Sequence, residues 1–249
     1  MPTPSISGDQ AGSTSLVGGG NVGEWRLRPR LSFRSVQVGR AAFSRPPYLS
    51  FHVMALDPLD ISRKSGDEPF HRNGEPHEFE ILDFWQWSAS NLLNNTQRGV
   101  LAEYLVAEAT GADQGVRNNW ENFDLETPGG IRLEVKSSAY IQSWEQSSYS
   151  DVSFDIGASQ DVHAETSEKD RRSDVYVFCL LDHKDQQTID PTDLSQWTFY
   201  VIATDVLDEK RPDQKSIVPN QLEKIGARTV PYEELGAVVR EVSDTTESE

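Results

Sequence analysis

Basic residues are scarce in this chain. Lys and Arg number 23 against 40 Asp and Glu over 249 residues, for a net charge of −17. Such a surface repels a polyanion on average and lacks the basic footprint of most nucleic-acid binders. Charge acts locally, however, and a bound divalent cation changes the field around it. Cysteine is nearly absent. The single Cys179 lies inside DVYVFCLL, forms no internal disulfide, and suits a buried thiol in a reducing cytoplasm. No apolar run approaches the ~18 residues needed to cross a bilayer, so no membrane partner is expected. His52, His71, His77, His163 and His183 show no zinc-ligand spacing. Walker, Rossmann and G-x-S-x-G patterns are missing too. What is present is aromatic: six Trp, ten Phe and seven Tyr can build a core although hydrophobic residues make up only 36%.

The charge is uneven. Residues 1–53 hold six arginines against Asp9 and Glu24, hence +4, so the remaining residues must carry −21 to reach the total. That first stretch is rich in Ser, Gly and Pro without periodicity, and reads as a disordered basic leader. It lacks the apolar centre of a secretory signal, although its Arg/Ser-rich makeup is also that of a transit peptide. The composition changes at Met54, an alternative start to Met1. The expected organisation is a leader over 1–53, one domain over 54–242 and an acidic tail over 243–249.

Within the domain, EFEILDFWQWSASNLL at 78–93 reads as a helix or turn packed on the body. A helix follows from about Gln97 to Thr110, capped by Asn95 or Thr96 and stopped at Gly111. Val100, Leu101, Tyr104, Leu105, Val106 and Ala107 cover most of its circumference, which predicts a largely buried helix. DVSFDI is a short strand candidate. DVYVFCLL and WTFYVIAT are near-continuous apolar runs, as in strands covered on both faces. VLDEK begins a short helix, and PYEELGAVVREV at 231–242 closes the domain with helical spacing of Leu235, Val238, Val239 and Val242. The order implies an α/β fold with a sheet between helices.

FDLETPGGIRLEVKSS at 123–138 carries the chemistry. A three-residue loop Pro128-Gly129-Gly130 pairs Thr127 with Ile131 and sets Asp124 opposite Glu134. A four-residue loop would put them on opposite faces. Alternation sends Ile131, Leu133 and Val135 to one face with Phe123 and Leu125, and Glu134, Lys136 and Ser138 to the other with Asp124. Facing carboxylates repel, and a cation between them reverses the sign. Two carboxylates, a carbonyl and waters suit Mg²⁺. Lys136 beside it can orient water or stabilise developing charge. The bland alternative is a solvated hairpin face, on which E-x-K is common. Two features favour a site. Glu103 lies among apolar residues of the preceding helix and needs a partner. The buried strands that follow also make the polar face a cleft.

Glu103 on a helix, Asp124 on a strand and Glu134-Val135-Lys136 on the next resemble the PD-(D/E)xK nuclease superfamily, over about residues 96–205. The resemblance implies a restriction-endonuclease-like central mixed β-sheet flanked by helices. It implies Asp124 and Glu134 as metal ligands, Lys136 as the catalytic lysine, and Glu103 as an accessory carboxylate that binds or orients the metal. Phe123 stands where the family name has proline. Glu108 competes with Glu103, which the Gly-x-x-x-Glu pattern from Gly99 favours. Ser138, Tyr140 and Gln142 continue the Glu134 face and could touch substrate, or could be ordinary polar surface. Lys169, Arg171 and Arg172, with Arg117, could line a phosphate track or form a charge cluster leading into the next strand.

The expectation is therefore a cytoplasmic Mg²⁺-dependent endonuclease, with Mn²⁺ as alternative metal, hydrolysing phosphodiester bonds in nucleic acid, DNA before RNA, and compatible with a dimer. Ser138, Gln142, Arg171 and Arg172 are its candidate substrate contacts. The rival is a catalytically inactive nuclease-fold protein whose acidic surface binds a basic protein partner.

Overall fold

A computed structural model describes residues 59–118, 121–160 and 169–246. The readings of residues 1–53 and of the last tail residues lie outside these ranges. The elements run β1 (Pro69–Arg72), β2 (Glu75–Glu80), α1 (Ile81–Ala89), α2 (Asn95–Thr110), β3 (Leu125–Glu126), β4 (Arg132–Ala139), β5 (Phe154–Asp155), β6 (Ser159–Gln160), β7 (Lys169–Asp170), β8 (Val175–Leu181) and β9 (Trp197–Ala203). Then come α3 (Thr204–Lys210), β10 (Ser216–Ile217), α4 (Pro219–Lys224), β11 (Arg228–Val230) and α5 (Tyr232–Thr246).

The fold is α/β. Five strands form a mixed sheet in the order β11-β9-β8-β4-β3. Only β4 and β8 pair in parallel; the other neighbours are antiparallel. β8 and β9 occupy the middle, and every residue of β8 is buried. That explains their unbroken apolar sequences, since both faces of a central strand meet a packed layer. One face, with Leu133, Val135, Val177, Cys179, Phe199 and Val201, packs against α2 and α5. The other face shows Tyr176, Phe178, Leu180, Tyr200 and Ile202 to Phe154, Ile156, Leu207, Ile217 and Leu222.

α2 begins at Asn95, two residues earlier than expected. Asn94 is its cap, its side chain accepting from the Thr96 amide at 3.0 Å. The helix ends at Gly111, as expected, with the Gly111 amide bonded to the Ala107 carbonyl. Its burial is narrower than its composition implied. Arg98, Ala102, Leu105, Val106 and Ala107 are buried, whereas Val100 and Tyr104 are 37% and 48% exposed. α5 continues to Thr246, past the expected boundary at 242. α1 supplies the helix expected within 78–93, and none of its residues is buried.

Candidate active site at the open edge of the sheet

β3 is an edge strand of only two residues. Its register, Leu125 with Leu133 and Glu126 with Arg132, is that of the three-residue loop. The Thr127 amide bonds to the Ile131 carbonyl at 2.9 Å, and the Gly130 amide returns to the Thr127 carbonyl at 2.8 Å. Gly130 has φ +83°, the left-handed position that this turn requires. Past Leu125 the ladder becomes irregular. The Asp124 amide reaches the Leu133 carbonyl at 3.0 Å, so Asp124 and Leu125 both face Leu133, as in a bulge. With β3 ended, the Val135 amide on that edge meets no strand carbonyl, and the Asp124 carboxylate accepts from it at 2.7 Å.

Asp124 therefore sits at the sheet edge and not on one face. Charged groups come to it from both sides. From the layer shared with Tyr176 and Phe178 come Glu134 and Lys136, in register with those two residues on β8. Both are half-buried, and Lys136 Nζ donates to Glu134 Oε1. From the α2 side comes Glu103, whose carboxylate takes a fork from Arg117. Nε donates to Oε2, and Nη2 donates to Oε1 at 2.7 Å. Glu103 and Asp124 line one cleft of about 520 Å³. Glu108 does not line it and is exposed; its carboxylate pairs with the Tyr104 hydroxyl and holds that phenol protonated to higher pH.

The electrostatics follow from this crowding. Burial, then the charge of Glu134, pushes the Asp124 carboxyl up to about 6, against the opposing Val135 amide and Lys136. Burial pulls Lys136 down, but the Glu134 charge and hydrogen bond, with Asp124 and Asp155, leave it above the ordinary lysine value. Burial and then Glu134 raise the Tyr176 hydroxyl. Tyr176 and Asp155 are neighbours of the site that the sequence concealed. Tyr176 lies inside an apolar run, and only the parallel pairing of β4 with β8 places it beside Glu134.

The donor set suits a hard cation. Asp124 and Glu134 offer oxygen only, and Mg²⁺ is commonly held by one or two carboxylates with waters and substrate phosphates completing its shell. A cation there would also offset the repulsion that raises Asp124. The three carboxylates Asp124, Glu134 and Glu103 do not gather into one ligand group. Among the described residues no trio of His, Cys, Asp or Glu does. Glu103 is turned to Arg117 instead.

The substrate contacts divide. Ser138 is half-buried on the Glu134 face, as alternation implied. Gln142 is elsewhere. β4 ends at Ala139, alternation ends with it, and Gln142 is buried with its Oε1 accepting from Arg98 Nη1 at 2.9 Å. Arg171 is likewise internal. Its buried guanidinium donates to the carbonyls of Ile156 (2.8 Å) and Arg211 (3.0 Å) and to Asp208. It fastens the layer beneath the sheet and does not front a phosphate track. Arg172 is half-buried and lines a second cleft with Arg132 and Ser173. Glu121 and Phe123 line both clefts.

The sheet, its covering layers and an edge cluster of carboxylates with a lysine define an α/β domain with a charged cleft at one edge. The chain belongs to the bacteriophage T4 endonuclease IV family, whose sequence model matches residues 79–218. That span holds Glu103, Arg117, Asp124, Glu134 and Lys136. No curated protein matches the chain.

Proposed function

We propose that the protein is a divalent-metal-dependent endonuclease acting on DNA, with a PD-(D/E)xK-type site. The observation that carries this reading is the meeting of Asp124, Glu134 and Lys136 at the sheet edge, inside the span matched by an endonuclease family. Asp124 and Glu134 are the residues that would hold Mg²⁺ or Mn²⁺. When bound, such an ion neutralises charge developing on the phosphoryl oxygens and lowers the pKa of a coordinated water.

The chain's own residues supply the rest. The Val135 amide fixes the Asp124 carboxylate, so that its orientation is set before any ligand arrives. Lys136 stays protonated because Glu134 and Asp124 outweigh its burial. Its ammonium can orient a water or stabilise charge on the phosphate, a contribution typically worth a hundredfold or more in rate. Ser138, one strand period beyond Lys136, can contact the substrate. The convergence of these groups supports the enzyme over a purely acidic docking surface. No helix among the described residues is long and apolar enough to cross a membrane.

The test is plasmid nicking by purified protein with Mg²⁺, Mn²⁺ or EDTA, beside Asp124→Asn and Lys136→Ala. Metal-dependent nicking lost in both variants is expected. Cleavage that persists in EDTA or in Asp124→Asn would overturn the reading.

A further inference from the structure

The cleft beside Asp124 poses a problem for a polyanionic substrate. Among the described residues its lining includes five carboxylates, Glu103, Asp113, Glu121, Asp124 and Glu126, but only two arginines, Arg63 and Arg117. Arg63 is directed to Asp113, donating to its carbonyl at 3.2 Å with the carboxylate at 3.9 Å. Arg117, the other arginine of the lining, stands near Asp124, close enough for the two charges to act on each other. Its side chain is 40% exposed, while that of Glu103 is 13% exposed. A half-exposed guanidinium is thus held in a fixed plane by a largely buried carboxylate.

We infer that Arg117 is the residue at this site that binds the substrate's phosphate backbone, and that Glu103 acts as its positioning residue and not as a metal ligand. The inference rests on the nuclease reading. Both Glu103 oxygens are engaged by the Arg117 fork. A carboxylate so occupied is a poor candidate for the inner shell of a cation, and among the described residues no three-ligand group forms around it. A planar guanidinium is the side chain best matched to phosphate oxygens. Orientation by a buried carboxylate lowers the entropy that a long flexible arm would lose on binding. Arg117 also lies within the family-matched span and on the segment that leads from α2 to Asp124. It delivers positive charge where the acidic lining would otherwise repel the strand.

The experiment separates DNA binding from metal binding. Fluorescein-labelled DNA oligonucleotides, single-stranded and duplex, are titrated in EDTA over a range of salt. Mg²⁺ is titrated calorimetrically without DNA. Arg117→Ala is expected to weaken DNA binding by about tenfold or more and to reduce the log–log salt slope by about 1, with Mg²⁺ affinity unchanged. Arg117→Lys should keep the slope and lose affinity, because the charge stays and the fork is lost. Glu103→Gln should weaken DNA binding and leave Mg²⁺ affinity intact, whereas Asp124→Asn should abolish Mg²⁺ binding. Wild-type DNA affinity and slope in Arg117→Ala, or loss of Mg²⁺ binding in Glu103→Gln, overturns the inference while the nuclease reading stands. Wild-type protein that binds neither oligonucleotide overturns both.

Discussion

The carboxylate of Asp124 accepts a hydrogen bond from the backbone amide of Val135 at 2.7 Å. This one contact does the work of a missing strand residue. It satisfies an amide that the short β3 leaves open, and it holds a carboxylate between Glu103 on one side and Glu134 with Lys136 on the other. Burial, and then the neighbouring Glu134 charge, disfavour the anion there and push the carboxyl up to about 6.

Asp124→Asn should therefore stabilise the folded chain at neutral pH while removing cation binding. A carboxyl raised in the folded state takes up a proton on folding between its ordinary value and about 6. Its contribution to stability is fullest below pH ~4 and falls as pH rises to ~6. At about pH 7.5 the ionised group costs up to about 3 kcal/mol, and the isosteric amide avoids this while still accepting from Val135. Melting curves should show the variant more stable at about pH 7.5, with the gap closing toward about pH 4. Millimolar Mg²⁺ should raise the wild-type Tm and leave that of the variant unchanged.

Lys136→Ala should lose both rate and stability. From the sequence, replacement spares the core and shifts stability little, because Lys136 lies off the Ile131-Leu133-Val135 face. The structure changes that expectation, since the ammonium pairs with half-buried Glu134 and also faces Asp124. Its removal leaves two carboxylates in a partly dry site, at a cost of about 1–3 kcal/mol. Urea unfolding at neutral pH measures this, and a change within about 0.5 kcal/mol would indicate a solvated face.

Arg98→Met should be among the most damaging changes. Arg98 is buried, and burial lowers its guanidinium to about 10. It donates to Ser137 Oγ (3.2 Å), the Leu93 carbonyl (3.2 Å), Gln142 Oε1 (2.9 Å) and Asn95 Oδ1 (2.8 Å). Methionine strands these acceptors, and a loss of about 3 kcal/mol is expected. Arg98→Lys should rescue little, because one ammonium cannot replace a planar fork. Chemical denaturation of both variants tests the ordering.

Gly236→Ala should separate two helices. A Cβ at this α5 position would collide with the Ala109 carbonyl of α2, meeting its carbon at 3.0 Å. Both helices lie on the same sheet face, so relief requires shifting one of them, at about 1–3 kcal/mol or more. A lowered Tm with unchanged Mg²⁺ affinity is expected, since neither Gly236 nor Ala109 lines the cleft that holds Asp124.

The sequence determined the parts whose physics is local. Two near-continuous apolar runs read as strands covered on both faces, and β8 and β9 are. Pro128-Gly129-Gly130 set the hairpin register, because loop length fixes which residues face each other. One local signal went unread: Asn73-Gly74, both at positive φ, close the β1–β2 hairpin. The tertiary structure decided the rest. Alternation assigned Asp124 to the Glu134 face, yet the end of β3 turned it into the edge, where an unpaired amide was available. Gln142 looked like a substrate contact because alternation continued the Glu134 face to it, and Arg171 because it belongs to a basic cluster. Both are buried, since Gln142 and the pocket of carbonyls around Arg171 are assembled by segments distant in the chain. Glu103 and Arg117 stand 14 residues apart, and no sequence spacing expresses their fork. Side-chain alternation reports direction only while a strand lasts; beyond its ends, the partner that satisfies each buried polar group is chosen by whatever the packing brings within reach.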